Sequence, residues 1–203
     1  LENVEFELKN VINRFIHSYT YQAREKALDI IFEYDEEIPS KLLGDPVRLG
    51  QVINNLVSNA VKFTQEGHIR IALNRIDEDS EEIAIKFDFE DTGIGIPEEK
   101  IQSVFEAFTQ ASAETTRKFG GTGLGLAIVK RLVNLFGSDI NVIGRTGGGT
   151  IFSFVIRFEK VKAFTNVHFQ QIASLDKNLE MARILVAEDN LVNQIMINKF
   201  LNK

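Results

Sequence analysis

Apolar residues fall at helical spacing over some stretches of the chain and alternate with polar ones over others. Val11, Ile12, Phe15, Ile16 and Tyr19 share one helical face, which predicts a helix over about 9–25 after a short strand near 3–8. "LDIIFEYD" at 28–35 is rich in β-branched and aromatic residues and is bounded by "EEIPS", so it predicts a strand. Asp45 is placed to cap a helix and Pro46 to open it, and Val47, Leu49, Val52, Ile53, Leu56, Val57 and Ala60 supply its apolar face over 46–63. "HIRIALNRI" and "EEIAIKFDFED" alternate and are separated by the acidic turn "DEDSE", the pattern of an antiparallel hairpin. A helix over roughly 123–136 should stop at Gly137, followed by the strands "DINVIG" and "GTIFSFVIRF" joined through "RTGGG".

Strands outnumber helices without strict βαβ alternation. The predicted class is therefore α+β, a two-layer α/β sandwich with helices on one face of a mixed sheet. Residues 160–181 lose the periodicity and are expected to be a linker. Residues 182–203, "ARILVAEDNLVNQIMINKFLNK", begin again with a strand, an acidic pair and an amphipathic helix, a C-terminal β-α fragment.

The chain has 203 residues, 44% of them hydrophobic and 26% charged, enough for one sizeable core. A formal charge of -6 disfavours a general nucleic-acid binder. With no cysteine, disulfides, thiolate metal sites and cysteine nucleophiles are excluded. No apolar run reaches the roughly 18 residues of a membrane span.

Three groups of residues carry candidate chemistry. In Asp91-Thr92-Gly93-Ile94-Gly95-Ile96-Pro97, an acid ends a strand and two glycines follow. This suits a carboxylate accepting from an exocyclic amine beside a flat ligand, or else a plain turn. Gly120, Gly121, Gly123 and Gly125 lead into a helix, where bare backbone amides suit phosphate; close helix packing is the other reading. Asn55, Asn59 and Lys62 share a face of the helix over 46–63, which suits a hydrated magnesium and a phosphate, or a solvated surface. Neither a Walker loop nor the dinucleotide spacing G-x-G-x-x-G is present.

These groups occur in one order, and "GDPVRLGQVINNLVSNAVKFT", "FEDTGIGIP", "VFEAFTQ" and "GGTGLGLAIVKRLV" resemble the ATP-binding catalytic domain of sensor histidine kinases. That domain has the Bergerat fold, shared with gyrase, the Hsp90 chaperones and MutL, with a mixed, mostly antiparallel sheet. The resemblance spans about residues 3–159, and the domain it implies is expected over 1–159. It implies that Asp91 binds the adenine amine while Gly93, Gly95 and Ile96 shape the base pocket. It implies that Asn59, helped by Asn55, ligates Mg2+, and that Asn55 and Lys62 serve the catalytic step, Lys62 at a phosphate. Gly121, Thr122, Gly123, Leu124, Gly125 and Leu126 would wrap the triphosphate, and Thr150 would lie near the adenine. Phe105 and Phe108 resemble the pair that packs the lid between the glycine clusters, expected to lack regular structure. Gln110, Arg117 and Lys118 on that lid are candidate contacts.

Hydrolytic members carry a glutamate four residues before the magnesium asparagine. Here that position is Asn55, which takes no proton at neutral pH, and Gln51 a turn earlier takes none either. A hydrolytic ATPase or a nucleotide-free docking module is the alternative reading. His17, His68 and His168 lack the surroundings of the family's phosphoacceptor, so the histidine would lie on a dimerisation domain outside this chain.

The segment over 182–203 resembles the start of a receiver domain, with Glu188 and Asp189 as its incomplete magnesium pair and Asn193 on the following helix. The implied parent is a hybrid sensor kinase, a bacterial homodimer with this domain in the cytoplasm and an inner-membrane sensor. The implied partners are its own dimerisation and receiver domains, with no nucleic acid.

Overall fold

The structure, a computed structural model, describes residues 1–108 and 123–161. The helix expected over 46–63 forms at Pro46–Phe63 (α2), and its cap is explicit. Asp45 Oδ1 accepts from the backbone N–H groups of Val47 (3.1 Å) and Arg48 (2.9 Å), donors that a helix start otherwise leaves unpaired. Leu49, Val52, Ile53, Leu56, Val57, Ala60 and Val61 are buried along one side. Val47, predicted on that side, is 60% exposed, because at 100° per residue it lies about half a turn away from it.

Around α2 lie α1 (Leu8–Glu25) on one flank and α4 (Gly125–Leu135) on the other. The strands are β1 (Val4–Phe6), β2 (Asp29–Tyr34), β3 (Leu42–Gly44), β4 (His68–Glu78), β5 (Glu82–Asp91), β6 (Asn141–Gly144) and β7 (Thr150–Lys160). They form one sheet in the order β1-β3-β7-β5-β4-β2, with β6 beside the start of β7. Only β2 and β4 run parallel, as Asp29 pairs with His68 and Tyr34 with Leu73. The sheet is mixed and mostly antiparallel, as expected.

Alternation decides which strand residues face the helices. Ile83, Ile85, Phe87 and Phe89 of β5 are buried with Phe152, Phe154, Ile156 and Phe158 of β7. Phe87 stacks on Phe154 at 4.9 Å and Phe6 meets Phe158 edge-on at 5.8 Å. The opposite face is laced with ion pairs, including Arg70–Glu33 (2.6 Å), Arg145–Glu90 (2.5 Å) and Arg157–Asp77 (2.8 Å). Exposed pairs of this kind add little stability and chiefly keep that face wet.

Two elements depart from the sequence reading. β3 was not expected; three residues give too short an alternation to see, and its partners β1 and β7 are far away in sequence. The lid region, expected to lack regular structure, contains a short helix α3 (Glu98–Ile101) behind Pro97. Pro97 has a fixed φ of -55° suited to a helix start, and Glu98 and Glu99 complement the first-turn N–H groups. Elsewhere the ends move by no more than two residues, as fraying ends do. No helix among the described residues is long and apolar enough to cross a membrane.

Asp45 supplies a stability prediction. Burial opposes its charge, but the N–H groups of Arg48, Glu2 and Val47 outweigh this and hold its carboxyl below the usual carboxylate range. Its contribution is therefore present above the unfolded-state pKa, near 4, and is lost as pH falls through the lower folded value. Asp45→Ala should cost about 1–2 kcal/mol in denaturant unfolding at neutral pH, with a smaller cost in strong acid.

Candidate nucleotide site

The exit of β5 is tied down on both sides. Asp91 ends the strand, paired on one side with Ile69 of β4 and on the other with Thr150 of β7. The next residue, Thr92, ties that end down. Its hydroxyl accepts from His68 N–H (2.9 Å), and its own N–H donates to the His68 carbonyl (3.2 Å). Sequence reasoning passed over Thr92, whose partners are two dozen residues upstream.

Asp91 is only 7% exposed, and its Oδ1 accepts from Gly93 N–H at 2.9 Å. Burial pushes its pKa above the ordinary carboxylate value. Hydrogen bonds from Gly93 and Thr150 pull the other way, and the Glu90 charge adds to the rise. A carboxylate kept at such a cost in desolvation suits a ligand that donates to it.

Two glycines make this corner possible. A β-carbon at Gly149, where φ is +105°, would stand 1.9 Å from the Asp91 carbonyl oxygen. One at Gly93 would stand 2.5 Å from the Phe63 carbonyl at the end of α2. Only a bare Cα lets the three backbones meet. Gly149 ends the run Gly-Gly-Gly-Thr before β7, one of the ordered glycine groups of the sequence. Gly95 packs against Gly149, and Ile96 is half-buried against the core. Thr150, 4% exposed, lies beside Asp91.

α2 brings the second group. Asn55 Nδ2 donates to the Gln51 carbonyl (2.8 Å), which leaves Oδ1 as an acceptor. Asn55 Oδ1 faces the start of α4, 2.9 Å from where a Gly125 β-carbon would sit. Asn59 and Lys62 follow on the same face, with the Lys62 ammonium 4.9 Å above the Phe63 ring. Asn54 turns away and accepts from Tyr19 Oη of α1 at 2.9 Å.

The third group is the start of α4. Gly123 has a positive φ, +70°, and Leu124 precedes the helix without capping it through its side chain. The first-turn N–H groups of α4 thus begin beside Asn55, with Leu126 half-buried against the core. Phe108 N–H donates to the Gly123 carbonyl (3.1 Å). Phe105 and Phe108 part company. Phe105 packs edge-on against Phe152 with Lys130 over its ring, whereas Phe108 is 76% exposed with φ +64°. Gln110, Arg117, Lys118, Gly121, Thr122, His168, Glu188, Asp189 and Asn193 lie outside the described residues.

A strand-end carboxylate, an amide-bearing helix and a glycine-led helix start thus converge through close approaches at glycines. The family model for "Histidine kinase-, DNA gyrase B-, and HSP90-like ATPase" matches residues 44–160, which hold all three. The chain belongs to this family. It is 37% identical over 215 residues to hybrid signal transduction histidine kinase K of Dictyostelium discoideum, covering 100% of this chain and 18% of that protein. It is 37% identical over 159 residues to the signal transduction histidine-protein kinase BarA of Escherichia coli (strain K12), covering 78% of this chain and 17% of BarA.

Among solved structures, full-length ShkA in complex with AMPPNP superposes with a TM-score of 0.68 at 31% identity, over 79% of this chain and 32% of ShkA. The catalytic domain of histidine kinase ThkA gives 0.61 at 29%, over 77% of this chain and 95% of that one. This ATPase-family chain therefore corresponds to the ATP-binding catalytic domain of hybrid histidine kinases, and it spans less than a fifth of the two curated relatives.

The Asp91 corner yields two predictions. Gly149→Ala should cost about 2–3 kcal/mol in thermal or denaturant unfolding, since the side chain meets both a strained φ and a carbonyl. The Asp91 carboxyl should titrate above the ordinary range when followed by NMR. Because the folded pKa is raised, its charge begins to oppose folding as pH rises past the unfolded value near 4, and the full cost is reached above the folded one. Asp91→Asn should remove that part of the pH dependence of stability.

Proposed function

We propose that this chain binds ATP with the adenine amine on Asp91 and the phosphates between α2 and the start of α4. On this reading it serves a hybrid sensor histidine kinase. The observation that carries the proposal is the buried, desolvated Asp91 roofed by Gly149. Gly93, Gly95 and Ile96 flank the base, and Thr150 orders the carboxylate. Asn59 and Lys62 face the phosphates, as do the N–H groups that open α4 after Gly123 and Leu124.

Mg2+ fits the donor set. Asn55 offers an amide oxygen rather than its NH2, and Asn59 a second amide, while no cluster of three carboxylate or histidine ligands occurs among the described residues. A cation held so sparsely on the protein side shares its coordination with phosphates and water. When bound, it supplies charge neutralisation to the polyphosphate.

Transfer then needs an acceptor from outside. An imidazole nitrogen on a dimerisation domain of the same protein forms the N–P bond as the bridging oxygen leaves with ADP. Nothing at Gln51 or Asn55 can take a proton from water, which favours this reading over a hydrolytic ATPase. Phosphoryl transfer to a positioned nucleophile asks mainly for orientation and charge neutralisation. Residues 160–181 would link this domain to a receiver domain beginning over 182–203, with Glu188 and Asp189 as its acidic pair. The parent would be a homodimer and a membrane-linked sensor, this domain lying on its cytoplasmic side.

Calorimetric titration with MgATP and MgADP tests the reading. The chain should bind both in the micromolar to millimolar range, and Asp91→Asn should weaken binding at least about tenfold, the cost of losing a charged hydrogen-bond acceptor. Phosphate release under steady conditions should stay at background. Absence of binding by the unsubstituted chain would overturn the proposal in favour of a docking module, and sustained release would favour the hydrolytic ATPase.

A further inference from the structure

The last turn of α2 is closed by a lysine from another element. Lys26 stands at the end of α1, its own N–H donating to the Ala23 carbonyl at 3.1 Å. Its ammonium reaches across to the carbonyl oxygens of Val61 (2.6 Å), Thr64 (3.2 Å) and Lys62 (3.3 Å). An ammonium has three N–H donors, and here each has an acceptor.

Those carbonyls belong to the end that a helix leaves unsatisfied, where the macrodipole gathers roughly half a negative elementary charge. The same turn bears Asn59 and Lys62, and the carbonyl of Phe63 accepts from Ile94 N–H (3.3 Å) in the glycine segment after Asp91. Lys26 and Lys62 also line one hollow of about 460 Å³ with Tyr19 and Ser58, between α1 and the end of α2. A polyphosphate brought to this turn would meet a negative helix end, and Lys26 offsets it.

We propose that Lys26 is a positioning residue for the phosphate end of the nucleotide, acting through the backbone of α2. It holds the last turn of that helix and cancels its negative end, so that Asn59 and Lys62 meet a triphosphate at no electrostatic disadvantage. The proposal rests on the ATP reading of the site. Lys26 touches no reacting atom. A lysine that merely tied α1 to α2 would, when lost, weaken all ligands of the site alike.

The test titrates the full chain with ATP and with adenosine, magnesium present, for the unsubstituted protein, Lys26→Gln and Lys26→Arg. Glutamine keeps a hydrogen-bond donor and removes the charge. Lys26→Gln should weaken ATP binding about three- to fivefold, the upper part of the range for a cation at a helix C-terminus, and change adenosine binding by less than about twofold. The difference should shrink as salt rises. Lys26→Arg should keep the preference for ATP over adenosine within about twofold, and it carries the comparison should glutamine unfold the chain. Equal losses for both ligands, unchanged ATP binding in Lys26→Gln, or a lost preference in Lys26→Arg would each overturn the proposal. An unsubstituted chain that bound neither ligand would overturn the ATP reading beneath it, a separate failure.

Discussion

The structure depends on one close approach of backbones, where the exit of β5, the turn before β7 and the end of α2 meet around Asp91. The Gly149 Cα presses on the Asp91 carbonyl, and the Phe63 carbonyl presses on Gly93. Because these are main-chain contacts, they fix the backbone at Asp91, while Gly93 and Thr150 donate to its carboxylate. A ligand pocket assembled this way is rigid at its floor. The sheet supplies the rigidity, since β5 is hydrogen-bonded along both edges, to β4 and to β7.

Charge is distributed around that floor in a way that favours an anion at one end and a donor at the other. Asp91 is kept ionisable against its desolvation, so it welcomes a hydrogen-bond donor. The start of α4 exposes N–H groups uncapped by the Leu124 side chain, so it welcomes an acceptor. The end of α2 would oppose phosphate, and Lys26 sits on it. On the proposed reading, desolvation, helix ends and a single ammonium would favour one direction for a nucleotide, base at the sheet and phosphates between the helices.

The outward face of the sheet answers a different need. Its ion pairs, from Glu33 through Arg70 and Glu90 to Arg145, keep it from adhering to other molecules. They also brace the glycine turn, because Arg145 opens it and pairs with the residue next to Asp91. The buried face of the strands thus carries the core, while the outward face helps to hold the glycine turn beside Asp91.

The sequence by itself determined the helices over 8–25 and 46–63, the hairpin of β4 and β5, and the presence of a nucleotide-like set of residues. Each of these depends on neighbours a few positions away, and local periodicity records them. It also carried Asp45, Asn55, Asn59 and Lys62, because a helix fixes which of its residues share a face. What only the tertiary structure decided were contacts between distant segments. Three-residue β3 exists because β1 and β7 flank it, and Gly149 is indispensable because Asp91 lies beneath it. Phe105 enters the core while Phe108 does not, and Lys26 finds three carbonyls of a helix that begins twenty residues later. Periodicity cannot encode such meetings, since the partners are brought together only when the sheet closes and α2 settles onto it.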